Sequence, residues 1–414
     1  MKVLWLSHFS PFPPKGGAQQ RAYNMLVQAA SEHNIDFISL ASHALLEEKF
    51  QTVKQGLKVT NEALSKHVNV KALVVFGGAD YAKNKIRCAL QALFSAKTYD
   101  EVYYNHPEFV RAIESAIELE KYDAVYVDTI SLMPLLKGIT TPVILNHHNI
   151  ESLMLVRRAE QEGNILKKFL FRWEAIKMKW LEKRYADKVT VNVTCSKLDS
   201  ERLNSIVPCN THCIPNGVDT NYFKRKQEYK PENTSGLVFI GDLTWYPNVD
   251  AVSWLATDIY PAIEQALGGV DLNVIGKGSV PALDELAGKR ANVTAHGFVD
   301  DIFPFMENAA AYVCPIRDGG GTKLKVLDAL AMGIPLIAHP IACEGIDVED
   351  GVNVLFARTP MEFATKLKLL LADKNLSESL SVEGQKLIEY KYSYSKIGKV
   401  FNLVIASTQS TNFN

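Results

Sequence analysis

Cys314-Pro315-Ile316-Arg317-Asp318-Gly319-Gly320-Gly321-Thr322-Lys323-Leu324-Lys325-Val326-Leu327-Asp328-Ala329-Leu330-Ala331-Met332-Gly333-Ile334-Pro335 is the stretch that decides the fold. An apolar run, Ala311 to Cys314, reads as a strand and ends in three consecutive glycines. Thr322 is the expected N-cap of a helix. Leu324, Leu327 and Ala331 then share one helical face. Glycines expose backbone N–H groups, and the start of a helix is its positive end, so the turn reads as an anion site. Arg317, Lys323 and Lys325 add charge. Asp328 falls beside Leu324 on the inward face, where a carboxylate costs stability unless it has a partner. A diphosphate over Gly319, Gly320 and Gly321, with a sugar hydroxyl at Asp328, would supply what both features lack.

The same alternation of short apolar run and helical pattern extends along the chain. In the first half the expected strands are 3–7, 35–40, 72–76, 124–128, 143–146, 189–194 and 213–214. In the second half they are 237–241, 272–275, 293–296, 311–314, 336–338 and 353–356. Alternating β and α segments imply parallel sheets covered on both faces. A length of 414 residues exceeds what one core supports. The polar, Pro-containing segment 221–235 is the expected linker. The expectation is therefore two doubly wound α/β domains, 1–220 and 236–391, with ligands outside the carboxyl ends of the strands.

Composition narrows the function. Hydrophobic residues make up 47% of the chain and charged residues 22%, which is ordinary for a globular protein. A net charge of −1 gives no sign of a general nucleic-acid binder. Six scattered cysteines in or beside apolar runs suit a reducing compartment. No run is apolar for long enough to span a bilayer, and 3–6 is too short for a signal-peptide core. The expected location is cytoplasmic, with peripheral contact at the inner face of the cell membrane left open.

The loops after the strands carry the candidate chemistry. Lys15-Gly16-Gly17 opens a helix after the first strand. Asn146-His147-His148-Asn149-Ile150-Glu151 puts two imidazoles, amides and a carboxylate at another strand end. Neighbouring histidines on one loop rarely reach one ion, and Cys209, His212 and Cys213 match no common ligand spacing. No Asp-x-Asp is present, so no metal site is expected. Gly276-Lys277-Gly278 lacks the third glycine of a dinucleotide fingerprint, which argues against an NAD enzyme.

Taken in order, Lys15-Gly16-Gly17, 146–151, Pro215-Asn216-Gly217-Val218-Asp219, Gly241 with Pro247-Asn248-Val249-Asp250-Ala251, and Arg317 through Pro335 cover nearly the whole chain. This series resembles GT-B fold glycosyltransferases of the retaining family 4 type, also called glycosyl transferases group 1. The resemblance implies two Rossmann-like domains facing a cleft, with a C-terminal helix (392–410) returning to the first domain. It implies a nucleoside diphosphate sugar as donor substrate, no cofactor, and a glycan or lipid-linked acceptor in surface polysaccharide biosynthesis. Gly16, Gly17, Asn216, Gly241, Arg317, Gly319, Gly320, Gly321, Thr322, Lys325 and Asp328 would bind the donor. His147 or His148, with Glu151, would hold the donor sugar or take the acceptor proton. The family's two glutamates eight positions apart are replaced here by Gly320 and Asp328. A nucleotide-sugar epimerase of similar fold and a catalytically silent sugar-nucleotide binder are the alternatives.

Residues 164–186 stand apart from this series. Leu166, Phe169, Leu170, Trp173, Ile176, Trp180 and Leu181 form a stripe at helical spacing, among seven Lys or Arg and two Glu. The expected arrangement packs the stripe on the sheet and solvates the charges. Phe171 and Met178, off the stripe, leave a membrane-surface reading open.

Overall fold

A computed structural model of the chain describes residues 1–14, 16–78, 81–226, 228–318 and 322–409. These divide into two compact units, one of described residues within 1–215 and 397–409, the other within 216–396. All thirteen expected strands are present.

In the first unit β1 (Lys2–Ser7), β2 (Asn34–Ser42), β3 (Asn69–Phe76), β4 (Ala124–Val127), β5 (Val143–His147), β6 (Val191–Thr194) and β7 (Thr211–Cys213) form one sheet in the order β3-β2-β1-β4-β5-β6-β7. Every pairing is parallel. Helices cover both faces, so β1 carries an unbroken apolar run, Val3 to Leu6, rather than alternating, and Val3 to Ser7 are all buried. The order reverses direction at β1, whose neighbours are β2 on one side and β4 on the other. That switch point is where a doubly wound sheet opens a crevice.

The second unit repeats the plan. β8 (Leu237–Ile240), β9 (Leu272–Ile275), β10 (Val293–Gly297), β11 (Ala311–Cys314), β12 (Leu336–Ala338) and β13 (Leu355–Phe356) run in the order β10-β9-β8-β11-β12-β13, again all parallel. Its switch point lies between β8 and β11. The fold is α/β with two Rossmann-like domains.

Three sequence expectations are corrected. The boundary falls at Pro215, and 221–235 is not a free linker. Phe223 and Tyr229 are buried in the second unit, and Arg225 donates to the carbonyls of Met332 and Glu307. Apolar side chains inside a polar stretch anchor it. The helix after the triple glycine starts at Leu324, with Lys323 rather than Thr322 as N-cap. The stripe on the helix Ile165–Tyr185 is largely exposed: Leu166, Phe169, Leu170, Ile176 and Trp180 face out, while Ala175, Met178 and Leu181 face in. Among the described residues, no helix is long and apolar enough to cross a membrane.

The last helix, Tyr394–Ser407, adds its residues from Ile397 onward to the first unit. Phe401 is fully buried there, edge-on to Trp5 and Tyr126 at 6.1 and 5.8 Å between ring centroids. Asn402 donates to the carbonyl of Gln28 at 3.1 Å. Phe401→Ala should therefore cost about 3–5 kcal/mol, the range for emptying an aromatic core site. In denaturant titration the first unit's transition should move to lower concentration and the second unit's should stay. An unmoved first-unit midpoint would contradict this placement.

Candidate active site

At the switch point of the first sheet, three strand-end loops bring His8, Asp128 and His148 together. Asp128 follows β4 and is 1% exposed. Its Oδ1 lies 3.0 Å from His148 Nε2, and its Oδ2 lies 3.2 Å from His8 Nδ1. Ser7 donates to Oδ2 at 3.1 Å, and Asn146 Nδ2 sits 3.4 Å from Oδ1. Burial opposes ionisation of this carboxyl, but the charge and hydrogen bonds of His148 and His8 outweigh it and hold Asp128 well below the usual carboxylate range. The result is a buried anion shared by two imidazoles that remain partly open to solvent. With Asp128 ionised, the contacting nitrogen of His148 carries a hydrogen and donates it to the carboxylate.

His147 is the neighbour that does not join. Successive side chains of a strand point to opposite faces. His147 ends β5 buried on the other side, with Nε2 3.0 Å from Asn192 Oδ1. Burial pulls its pKa down to about 4, so it is a neutral packing residue. Glu151 starts the helix Glu151–Gln161. Burial, then the nearby Asp100 charge, pushes its carboxyl up to about 7 against the opposing pull of His8. Asp100 is also raised, chiefly by burial. Tyr104 completes the wall, its ring 5.3 Å from that of His8.

Ligand-type atoms of His8, Asp128 and His148 lie within 4.8 Å of one another, so this set could hold a metal ion. The sequence offered no such signal, because each member comes from a different strand end. His8 and Asp128 are the members of this set that motif reading did not single out. Their only sequence mark is a polar residue directly after a buried strand.

Gly16 and Gly17 stand at the start of the helix Gly17–Ala30, with Gly16 in extended conformation as its N-cap. Asn216 opens the second unit.

In the second unit the site is built around Lys325, on the helix Leu324–Ala331. Its Nζ donates to Asn248 Oδ1 at 2.6 Å and lies 4.5 Å from the centre of the Phe239 ring. Burial lowers its pKa to about 8. Gly241, just beyond β8, makes room for it: a Cβ there would lie 2.3 Å from Nζ. A Cβ on Gly276 would in turn lie 1.7 Å from the Gly241 carbonyl oxygen. The glycine at 276 is what lets these two loops cross so closely. Asn248 also donates to the Asp242 carbonyl at 2.7 Å.

Asp250, two residues on, takes Arg317 in a two-point ion pair at 2.9 and 3.1 Å. Arg317 also stacks over Trp254 at 4.7 Å. The Pro247-to-Ala251 motif thus holds both Arg317, in the loop after β11, and Lys325, on the helix that follows, and the Arg317 guanidinium is already committed. Thr322 is buried, and its hydroxyl meets no partner among the described residues. Asp328 lies one turn beyond Lys325. Burial raises its carboxyl to about 8, against the pull of Lys325. Gly319, Gly320 and Gly321, and likewise Lys15, lie outside the described residues.

Family models match both units: Glycosyltransferase Family 4 over residues 15–222, and Glycosyl transferases group 1 over 234–373. The chain belongs to glycosyltransferase family 4. It is a GT-B glycosyltransferase. A curated relative, an uncharacterized 44.6 kDa protein in the cps region of Klebsiella pneumoniae, is 19% identical over 290 residues, 67% of this chain and 73% of that one. Among solved structures, sucrose-phosphate synthase from Thermosynechococcus elongatus superposes with a TM-score of 0.70 at 14% identity, covering 99% of this chain and 100% of that one. Anabaena HepE in complex with UDP-glucose gives 0.60 at 16%, covering 98% and 100%. A TarM variant of S. aureus in complex with UDP, alpha-GlcNAc-glycerol and Fondaparinux gives 0.65 at 11%, covering 98% and 99%. At these identities the family 4 transferase shares a fold with them.

The raised Asp328 carboxyl has a thermodynamic consequence. The unfolded chain releases that proton near ~4, whereas the folded one keeps it up to about 8. Between these values the folded state binds more protons, so stability falls as pH rises. Asp328→Asn should remove this slope component. Melting curves from pH ~4 to ~8 should show the variant gaining on the parent as pH rises. A variant that melts well below the parent at the upper end would mean that the carboxylate is a paired structural group.

Proposed function

We propose that this transferase moves a sugar from a nucleoside diphosphate sugar to a glycan or lipid-linked acceptor, with retention and without a metal, in building a surface polysaccharide. The second unit holds the donor and the first the acceptor. The observation that carries the donor assignment is the group at 322–328. It combines a half-buried cation at Lys325, a buried hydroxyl at Thr322 with no partner among the described residues, and a poorly matched carboxyl at Asp328. A diphosphate beside Lys325 and Thr322 and a ribose hydroxyl at Asp328 would complete all three. The Klebsiella relative from a cps region and the UDP-bound structures of HepE and TarM are consistent with this reading.

Transfer builds negative charge on the leaving diphosphate. Lys325 is fixed by Asn248 before any ligand arrives, so its charge needs no reorganisation in the transition state. A diphosphate would also raise its lowered pKa and keep it protonated. In the first unit His148, oriented by Asp128, is the assigned contact for the reacting sugar or the acceptor hydroxyl. Retention places the incoming and leaving oxygens on one face of the sugar. Metal independence rests on the missing Asp-x-Asp motif and on Lys325 as the fixed cation of the donor group.

A second reading, a nucleotide-sugar epimerase, draws on Glu151 and Asp100, two carboxyls with raised pKa beside His8. Product analysis separates the two: transfer releases nucleoside diphosphate in step with acceptor, whereas epimerisation alters the sugar without release.

Three outcomes are expected. Lys325→Met should weaken nucleoside diphosphate binding about tenfold or more in calorimetry, the loss of a charged hydrogen-bonding partner. His148→Ala should keep donor binding and lower transfer by about 10²–10⁴. Turnover should continue in EDTA. Unchanged binding in Lys325→Met would move the donor elsewhere. Turnover that EDTA abolishes and a divalent ion restores would assign the His8–Asp128–His148 set to a metal.

A further inference from the structure

The exposed stripe on Ile165–Tyr185 does not stand alone. The helix Tyr81–Leu93 presents Ile86, Leu90 and, just past its end, Phe94 at intervals of four, all exposed. Phe94 is 84% exposed, Ile165 82% and Leu166 76%; Phe169, Leu170, Ile176 and Trp180 are exposed as well. Two helices joined to one another thus turn apolar stripes outward, and exposed apolar groupings of this kind mark interaction sites.

Lysine 177 ties the two helices together. Lys177 is 2% exposed, and its Nζ donates to the carbonyls of Ala92 at 2.8 Å and Lys97 at 2.9 Å. Glu174 pairs with it and accepts from the Tyr99 backbone at 2.9 Å. The end of the first helix is therefore fixed against the middle of the second, and the face they share is preformed.

Among the described residues, the exposed charges that these two helices contribute are positive. Residues 81–97 contain four Lys or Arg and no Asp or Glu. On the second helix Lys167, Arg172, Lys179 and Lys183 are exposed. Both of its acids turn inward: Glu174 to Lys177, and Glu182, fully buried, to the Ser152 hydroxyl and backbone. An aromatic and aliphatic stripe among exposed cations alone is complementary to anionic headgroups over an apolar layer. No described helix can span that layer, so the contact is interfacial.

We propose that the face formed by the helices Tyr81–Leu93 and Ile165–Tyr185 docks on the surface of an anionic bilayer. The inference goes beyond the transferase reading and does not rest on it. None of its residues is among those assigned to donor and acceptor.

The test is flotation of the full chain with vesicles of phosphatidylcholine containing about 30% phosphatidylglycerol, against phosphatidylcholine alone, across a range of salt. The protein should float with the anionic vesicles at low salt, be released as salt rises, and stay behind with neutral ones. Reversing Lys167, Lys168 and Lys179 to Glu should reduce the bound fraction about tenfold or more. Phe94→Ser with Phe169→Ser should do the same at low salt, with the melting temperature and nucleotide binding unchanged. No flotation at low salt would overturn the proposal, as would flotation indifferent to both sets of substitutions. Self-association of the parent in light scattering, lost in the Phe94→Ser, Phe169→Ser variant, would assign the face to a second copy instead.

Discussion

All strands of both sheets run parallel, so each sheet delivers its carboxyl ends to a single edge. The polar residues that follow a buried strand meet there without any relation in sequence. His8 follows β1, Asp128 follows β4 and His148 follows β5, and they converge because β1, β4 and β5 are neighbours across the switch point. Gly241 follows β8 and Arg317 lies in the loop after β11, across the equivalent point of the second sheet. The order of strands sets which side chains can act together, and the helices hold that order by covering both faces.

The two switch points carry opposite charge. The first buries an anion, Asp128, and satisfies it with imidazoles, a hydroxyl and an amide. The second partly buries a cation, Lys325, and among the described residues gives it one amide oxygen and an aromatic face. A buried charge is costly when its partners are incomplete. The anion is well matched, so its residues are poised to orient other groups. The cation is under-matched, and a neighbouring carboxyl is held protonated up to about 8 rather than paired with it. On the proposed reading, the missing stabilisation is left for the donor diphosphate to supply.

Much of this was legible in the sequence, for identifiable reasons. Short apolar runs between helical patterns gave every strand, because a strand covered on both faces cannot alternate polar and apolar. The inward Asp328 and the cation at Lys325 followed from their spacing along a helix. The roles of Asn248 and Asp250 did not, because their partners Lys325 and Arg317 lie far along the chain. Choosing between His147 and His148 required knowing which face of β5 each one takes. The stripe at 165–185 misled because periodicity shows that a helix has an apolar face, not which way it turns. There the buried face is set by Ala175, Met178 and Leu181 instead.

The most direct test of the account is hydrogen exchange of the full chain with and without a nucleoside diphosphate. The account predicts slowed exchange in 241–248 and 322–331, where Gly241, Asn248, Thr322, Lys325 and Asp328 lie. Loops at 8–10, 128–130 and 147–150 should change less. Protection confined to those first-unit loops, with 322–331 unaltered, would contradict the assignment of the donor to the second unit.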